Sequence, residues 1–481
     1  MSTPAIVGAL DPVDDVILAG APRPDVPAPE PFVVREAAGA DLTAYRELRR
    51  AVFVAEQGLF ARSDADEHDL DPRTRALLAL SPEGEVLGGV RIHPMAAPGE
   101  PDLGWWRGSR LAVAPEARSF LGVGATLVRA ACALAEASGA LRFDATVQAQ
   151  NERLFARLGW QLREHLVLHA TPHVRLEWPI GRIQALADAT KAALASVLED
   201  AAAGAPRGFL GDDGAPVPGS DLVAACDAIL PSMVERDPEW AGWCSVLVNV
   251  NDLAAMGATP VGLLDAVGAR DASFARRILR GLTAAAEAYG VPVLGGHTQF
   301  GVPGQLAVTA LGRTGAPVAG GGGAPGQQLR LTADLGGAWR PGYTGGQWDS
   351  TSHRTSAQLR AQAGVVPILA PTAAKDVSMS GLIGTAGMLA EASGCRAVVD
   401  VAAVPTPRGA RTADWFTCFP GFAMLTAESH RPDDATLAAL PEHLDTAVIG
   451  ELVPGRGVGL RWPDGTVTEA IADTVTGLGA A

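Results

Sequence analysis

Lysine is nearly absent from this chain. Of its 38 basic residues only Lys191 and Lys375 are lysine, and the rest are arginine. Basic residues are also outnumbered by 53 acidic ones, for a formal charge of −15, which excludes the basic footprint of a nucleic-acid-binding domain. Cysteine is sparse: Cys132, Cys226, Cys244, Cys395 and Cys418 are scattered with no Cys-x-x-Cys. That spacing excludes a disulfide framework and a cysteine zinc site. No apolar run reaches the roughly 18 residues a bilayer crossing needs, because the uncharged stretch 377–390 is short and rich in glycine and serine. The first residues lack a basic region and an unbroken apolar core, so a signal peptide is not expected and a cytoplasmic location is. What is plentiful is apolar material, 48% of the 481 residues against 19% charged, enough for packed cores.

At roughly 100–200 residues per domain, the length predicts two or three domains. Residues 1–30 are rich in Pro, Ala and Asp and read as a flexible arm. A first unit is expected over 31–180 and a helical linker over 181–206, with a second unit from 207 to 315. The glycine-rich stretch 315–326 has the composition of a hinge, and a last unit follows over 325–475.

In the first unit a strand-like run ending at Val113 precedes Gly122-Val123-Gly124, and apolar positions Leu127, Val128, Ala131, Leu134 and Ala135 then fall on one helical face. Strand, glycine turn and helix place free backbone N–H groups and the positive end of a helix dipole at one point, which suits a pyrophosphate. A second strand over 142–147 and a helix ending Leu158-Gly159-Trp160 follow. Together with Leu48–Gly58 and the acidic run Asp64–Asp69, this pattern resembles the GNAT acetyltransferases. The resemblance implies acetyl-CoA as donor, its diphosphate on the amides of Gly122, Val123 and Gly124, and Asn151 beside the pantetheine arm. Glu56, Asp66 and His68 are candidate bases for an amine acceptor, with a solvated acidic loop as the alternative for each. Phe155 stands where many members carry a tyrosine that protonates the departing thiolate, and a phenyl ring has no proton to give. His165, His169 and His173 recur every four residues, but Pro172 and the neighbouring Val and Leu residues predict strand rather than a metal-binding helix.

The second unit carries carboxylates at the ends of apolar runs: Gly211-Asp212-Asp213-Gly214, Asp227, then Asn249-x-Asn251-Asp252-Leu-Ala-Ala-Met256-Gly257-Ala258-x-Pro260. Gly295-Gly296-His297-Thr298 and Lys375-Asp376-Val-Ser378 follow. Carboxylates in apolar company must be paired or hold a cation, and magnesium takes carboxylate oxygens together with substrate phosphates. N-caps and turns would explain any one of these aspartates but explain the set poorly. The blocks resemble the PurM/AIR-synthase superfamily, which includes thiamine-monophosphate kinase. That resemblance implies two α+β halves, Mg-ATP between them, and dimerisation through the sheet of the first half. Asp212, Asp213, Asp227, Asp252 and Asp376 would hold metal or phosphate, and Asn249, His297 and Thr298 would line the nucleotide site. Glu56, Lys375 and Asp252 are the candidate catalytic residues, Lys375 by touching a phosphoryl oxygen as a compact point charge.

The expected fold is thus α+β and multidomain: a GNAT fold, with a mixed sheet flanked by helices, followed by a PurM-like two-part module. The pairing resembles two neighbouring proteins of bacterial nitrilase gene clusters, one a nitrogen-starvation N-acetyltransferase, and so points to nitrogen metabolism. The expected function is a bifunctional enzyme. It acetylates a small amine from acetyl-CoA and uses Mg-ATP to phosphorylate an oxygen of a small amide-type metabolite. The alternative is a regulatory protein that senses acetyl-CoA or ATP without chemistry. Expected partners are small molecules and a second copy of the chain, with neither nucleic acid nor membrane.

Overall fold

The computed structural model describes residues 32–119, 122–198, 206 and 208–480. The arm expected at 1–30 lies outside the described residues, as do 120 and 121 just before Gly122. The chain forms two compact units: one from residues up to Pro94 with Trp106–Ala135 and Phe143–Trp178, the other from Pro179 onward with two short segments, Met95–Trp105 and Glu136–Arg142.

The first unit is built on a seven-stranded sheet in the order β1-β2-β3-β4-β5-β7-β6. The strands are β1 (Val33–Glu36), β2 (Arg75–Leu80), β3 (Val86–Pro94), β4 (Trp105–Val113), β5 (Arg142–Gln148), β6 (Gln161–Leu168) and β7 (Thr171–Trp178). The helix expected after the glycine turn spans Val123–Ala137 and buries Val123, Leu127, Val128, Ala131 and Ala135, one stripe of a 3.6-residue period. The histidine segment forms the β6–β7 hairpin, as alternation predicts, with His169 and Ala170 left-handed at its turn. Helix Ala40–Arg49 runs on into a π-helical stretch, Arg50–Glu56. Such wide turns often mark functional positions, and this one brings Phe53 and Gln57 to a cavity wall.

The second unit contains two large sheets and a two-stranded one, Ala338–Trp339 paired with Trp348–Asp349. The first has five strands in the order β11-β10-β12-β9-β8, namely β8 (Ala215–Pro216), β9 (Leu222–Ala228), β10 (Thr259–Ala269), β11 (Val293–Phe300) and β12 (Gln305–Arg313). Helices Pro238–Ala255 and Ala272–Tyr289 supply about half of its core. Pro238–Ala255 is apolar nearly all round because helix Ala272–Tyr289, the first sheet and strand Ala373–Asp376 enclose it. It ends at Met256, and Gly257 adopts a left-handed conformation (φ 66°) that lets the chain turn at once into β10. On its other side the sheet is bare: every residue of β11 is exposed, including Val293, Leu294 and Phe300. The second sheet has seven strands, among them Gln328–Ala333, Ala373–Asp376 and Ala423–Glu428, with helix Gly381–Ala392 buried against it.

Candidate functional site

Three aspartates meet in the second unit. Asp213 lies in the turn after Gly211, Asp252 in the last turn of helix Pro238–Ala255, and Asp376 at the end of strand Ala373–Asp376. One carboxylate oxygen from each lies within 4.8 Å of the others. Helix Pro238–Ala255 packs on that strand, which brings Asp252 to Asp376. Burial, and then the charge of the neighbouring carboxylates, pushes the pKa values of Asp252 and Asp376 well above the usual carboxylate range. Burial also raises Asp213, although the Lys375 ammonium opposes the shift. A buried all-oxygen donor set whose members repel one another is chemically suited to a hard divalent cation.

The other expected residues are placed differently. Asp212, expected as a ligand, lies outside the group of three, and both its oxygens accept hydrogen bonds, as do those of Asp213. Oδ1 accepts from Lys375 Nζ (3.0 Å) and the Asp213 N–H (2.9 Å), and Oδ2 accepts from the Gly320 N–H (2.7 Å). Asp227 is exposed on β9 and lies outside the group of three, acting on Asp252 and Asp376 through its charge. Lys375, expected at a phosphate oxygen, is instead buried and donates to Asp212 and to Asp213 Oδ1 (2.7 Å). Lys191, past the C-terminus of helix Arg182–Thr190, is half-buried, forms no ion pair among the described residues, and its charge reaches Asp227 and Asp376. Asn249, one helical turn before Asp252, is fully buried; Nδ2 donates to the Ser245 carbonyl (2.9 Å), and Oδ1 has no partner among the described residues. His297 and Thr298 stand exposed on edge strand β11.

The segment 315–326, expected as a hinge, is packed where it passes this site. A Cβ on Gly320 would lie 2.7 Å from Asp212 Oδ1 and from Lys375 Cε. Glycine serves there for close approach rather than for flexibility.

The first unit has a separate cavity of about 330 Å³ between β4 and β5. Its apolar wall includes Phe53, Phe143, Phe155 and Trp160, and its polar wall includes Gln148, Asn151, His169 and His173. Beside it β4 bulges: Ser109 pairs with Arg91 and Ala112 with Gly89, so Arg110 and Leu111 together oppose Val90. Arg110 is left-handed there (φ 54°), and its carbonyl accepts from Tyr45 Oη (2.6 Å). His173, unassigned by the sequence because its spacing fits a strand as well as a site, is buried and lines this cavity. Its Nδ1 lies 2.8 Å from the Thr171 carbonyl, an acceptor only. In the neutral ring Nδ1 therefore carries the hydrogen, and the Nε2 lone pair is left free of any described partner. Gly122 (φ 103°) precedes the first turn of the 15-residue helix that begins with Val123 and Gly124.

The candidate bases are held by arginines. Glu56 forms a two-pronged pair with Arg118 (2.6 and 2.7 Å), which keeps its carboxyl below the usual range and occupies both oxygens. Burial pushes Asp66 up, but Arg91 (2.6 and 2.7 Å) and Arg110 (3.0 Å) hold it below the usual range. Arg49 clamps Asp64 and Asp69 in the same way. The acidic run is thus an ion-paired structural element rather than a solvated loop. His68 stacks on His93.

Comparison with known proteins agrees with this division. Residues 42–160 match the family model described as acetyltransferase (GNAT) family, 211–314 that of AIR synthase related protein, N-terminal domain, and 335–463 its C-terminal domain. The chain is 36% identical over 264 residues to the uncharacterized protein sll0787 of Synechocystis sp., a match covering 52% of this chain and 80% of that one. It is 28% identical over 284 residues to a thiamine-monophosphate kinase of Caulobacter vibrioides, covering 52% of this chain and 79% of the relative. A solved thiamine-monophosphate kinase from Stenotrophomonas maltophilia aligns with 54% of this chain and 91% of its own, at 25% identity and a TM-score of 0.41. With its carboxylates gathered where the two halves of the second unit meet, the chain belongs to the AIR synthase related proteins, and it carries a GNAT acetyltransferase domain ahead of them.

Proposed function

We propose that the chain is a bifunctional enzyme whose second unit transfers a phosphoryl group from ATP to an oxygen of a small amide-type metabolite. The convergence of Asp213, Asp252 and Asp376 carries this reading. These residues would hold Mg²⁺, which when bound neutralises phosphate charge during transfer. Around it, Lys191 adds a positive charge that reaches Asp376 and has no ion-pair partner among the described residues, and Asn249 Oδ1 offers a buried acceptor. Relatives named thiamine-monophosphate kinases support phosphoryl transfer to a small molecule. The deciding experiment incubates the full chain with γ-labelled ATP, Mg²⁺ and a panel of small amides and carboxylates. Magnesium-dependent transfer of label to a panel member upholds the reading; none across the panel favours an ATP-sensing protein.

The first unit would acetylate a small amine. The bulge at Arg110 takes backbone groups out of the β3–β4 ladder beside the cavity, where an N–H can polarise a thioester carbonyl. The amine nitrogen attacks the acetyl carbon, the C–S bond breaks, and sulfur leaves as thiolate. Phe155 has no proton to supply and Glu56 is tied to Arg118, so the proton passes from nitrogen to His173 Nε2 and from there to sulfur. The amides of Gly122, Val123 and Gly124, at the start of their helix, suit the diphosphate. For this reading the divisions of the chain remain 31–180, 181–206, 207–315 and 325–475. The bare apolar face of β10 and β11, with Leu264, Leu294 and Phe300 exposed, supports a homodimer joined through that sheet.

A further inference from the structure

Lys375 is one of two lysines in a chain that otherwise uses arginine, and its side chain is only 2% exposed. Its ammonium lies 3.0 Å from Asp212 Oδ1 and 2.7 Å from Asp213 Oδ1. Gly320 closes over it: a Cβ there would meet Lys375 Cε at 2.7 Å and Nζ at 3.1 Å. The remaining Asp212 oxygen is taken by the Gly320 N–H, and the remaining Asp213 oxygen accepts from the Asp376 N–H (3.1 Å). An enclosed space bounded by two carboxylates suits a compact charge. A planar guanidinium, wider and with diverging donors, would need the Gly320 backbone to move away. A divalent cation has the same attributes as the ammonium: small, hard and ligated by oxygen.

We propose that the Lys375 ammonium is a tethered cation standing between Asp212 and Asp213 in place of a divalent ion. Metal is thereby confined to the Asp213–Asp252–Asp376 side, and Asp212 is a positioning residue rather than a ligand. This rests on the reading that the aspartate group takes a divalent cation, and it adds where that cation is refused. Because Asp212 and Asp213 precede the first sheet while Lys375 belongs to the second, the same ammonium pins the start of one half to the other without waiting for metal.

The test counts Mn²⁺ bound to the full chain without nucleotide, by equilibrium dialysis and electron paramagnetic resonance of free Mn²⁺. Lys375→Met is expected to bind one more Mn²⁺ per chain than the parent protein, with a melting temperature that rises as Mn²⁺ is added. Asp212→Asn is expected to bind as many as the parent. A folded Lys375→Met that gains no ion, or an Asp212→Asn that loses one, overturns the proposal. Should Lys375→Met fail to fold, the Asp212→Asn count decides by itself. A parent protein that binds no Mn²⁺ would defeat the reading of the aspartate group. The tethered-cation inference would still stand or fall on whether Lys375→Met acquires an ion.

Discussion

His68 and His93 stack ring on ring in the first unit, with centroids 3.7 Å apart and planes inclined by 23°. His93 is almost fully buried, its Nδ1 hydrogen-bonds the Pro94 carbonyl (3.1 Å), and the Arg91 guanidinium is close enough to repel a charged ring. The stack joins the acidic run, which holds His68, to strand β3, which holds His93.

That burial, followed by repulsion from Arg91 and His68, pushes the His93 pKa down from 6.5 to about 3. The folded chain therefore keeps the ring neutral, whereas the unfolded chain protonates it below pH 6.5. Its contribution to stability is complete above pH 6.5 and declines by about 1.4 kcal/mol per pH unit as the pH falls towards 3. His93→Gln should flatten the fall of melting temperature between pH 6.5 and 4. Parallel curves for parent and variant would show that the ring is neutral in neither state or in both.

His173→Gln should leave acetyl-CoA affinity unchanged by calorimetry while lowering kcat for an amine acceptor on the order of 100-fold or more. A kcat within a fewfold of the parent's would remove His173 from proton transfer, and a parallel loss of acetyl-CoA binding would mark it as structural. His169→Gln, at the left-handed hairpin turn, is expected to have a smaller effect.

The aspartate group predicts opposite signs with and without ligand. Asp252→Asn removes one of three mutually repelling buried carboxylates, so the variant should melt no lower than the parent in EDTA. With Mg²⁺ and ATP at a hundredfold excess over Kd, the parent should gain about 3 kcal/mol and the variant little of it. A variant as well stabilised as the parent would place the cation elsewhere. Lys191→Ala should weaken ATP binding severalfold and become indistinguishable from the parent at high salt.

Exposed Leu294 and Phe300 predict that Leu294→Glu converts a dimer to a monomer by light scattering, with no loss of acetyl-CoA binding. A parent protein that is already monomeric at high micromolar concentration would leave that sheet face without this role.

Parts of this were legible in the sequence because one element carries the signal. Asn249 to Pro260 spells out a helix end, a left-handed glycine and a strand start in consecutive letters, and the i,i+3 spacing puts Asn249 and Asp252 on one face. What failed to show depends on neighbours far along the chain. Adjacent Asp212 and Asp213 are alike as letters, yet one faces Gly320 and the other Asp376. Asp64, Asp66 and Asp69 look like a solvated acidic run because the arginines that clamp them, Arg49, Arg91 and Arg110, come from a helix and two strands. Glycine richness reads as looseness, since composition cannot separate a residue that must bend from one that must let another chain segment come near.

The acidic group takes one member from each of three stretches that flank the glycine-rich crossing at 315–326 on both sides. Neither half alone therefore carries the whole trio. Parting the two halves should abolish Mn²⁺ binding at the trio even if each keeps its shape. Nothing in the trio comes from the first unit, so the trio depends on continuity in the middle of the chain and not at its front.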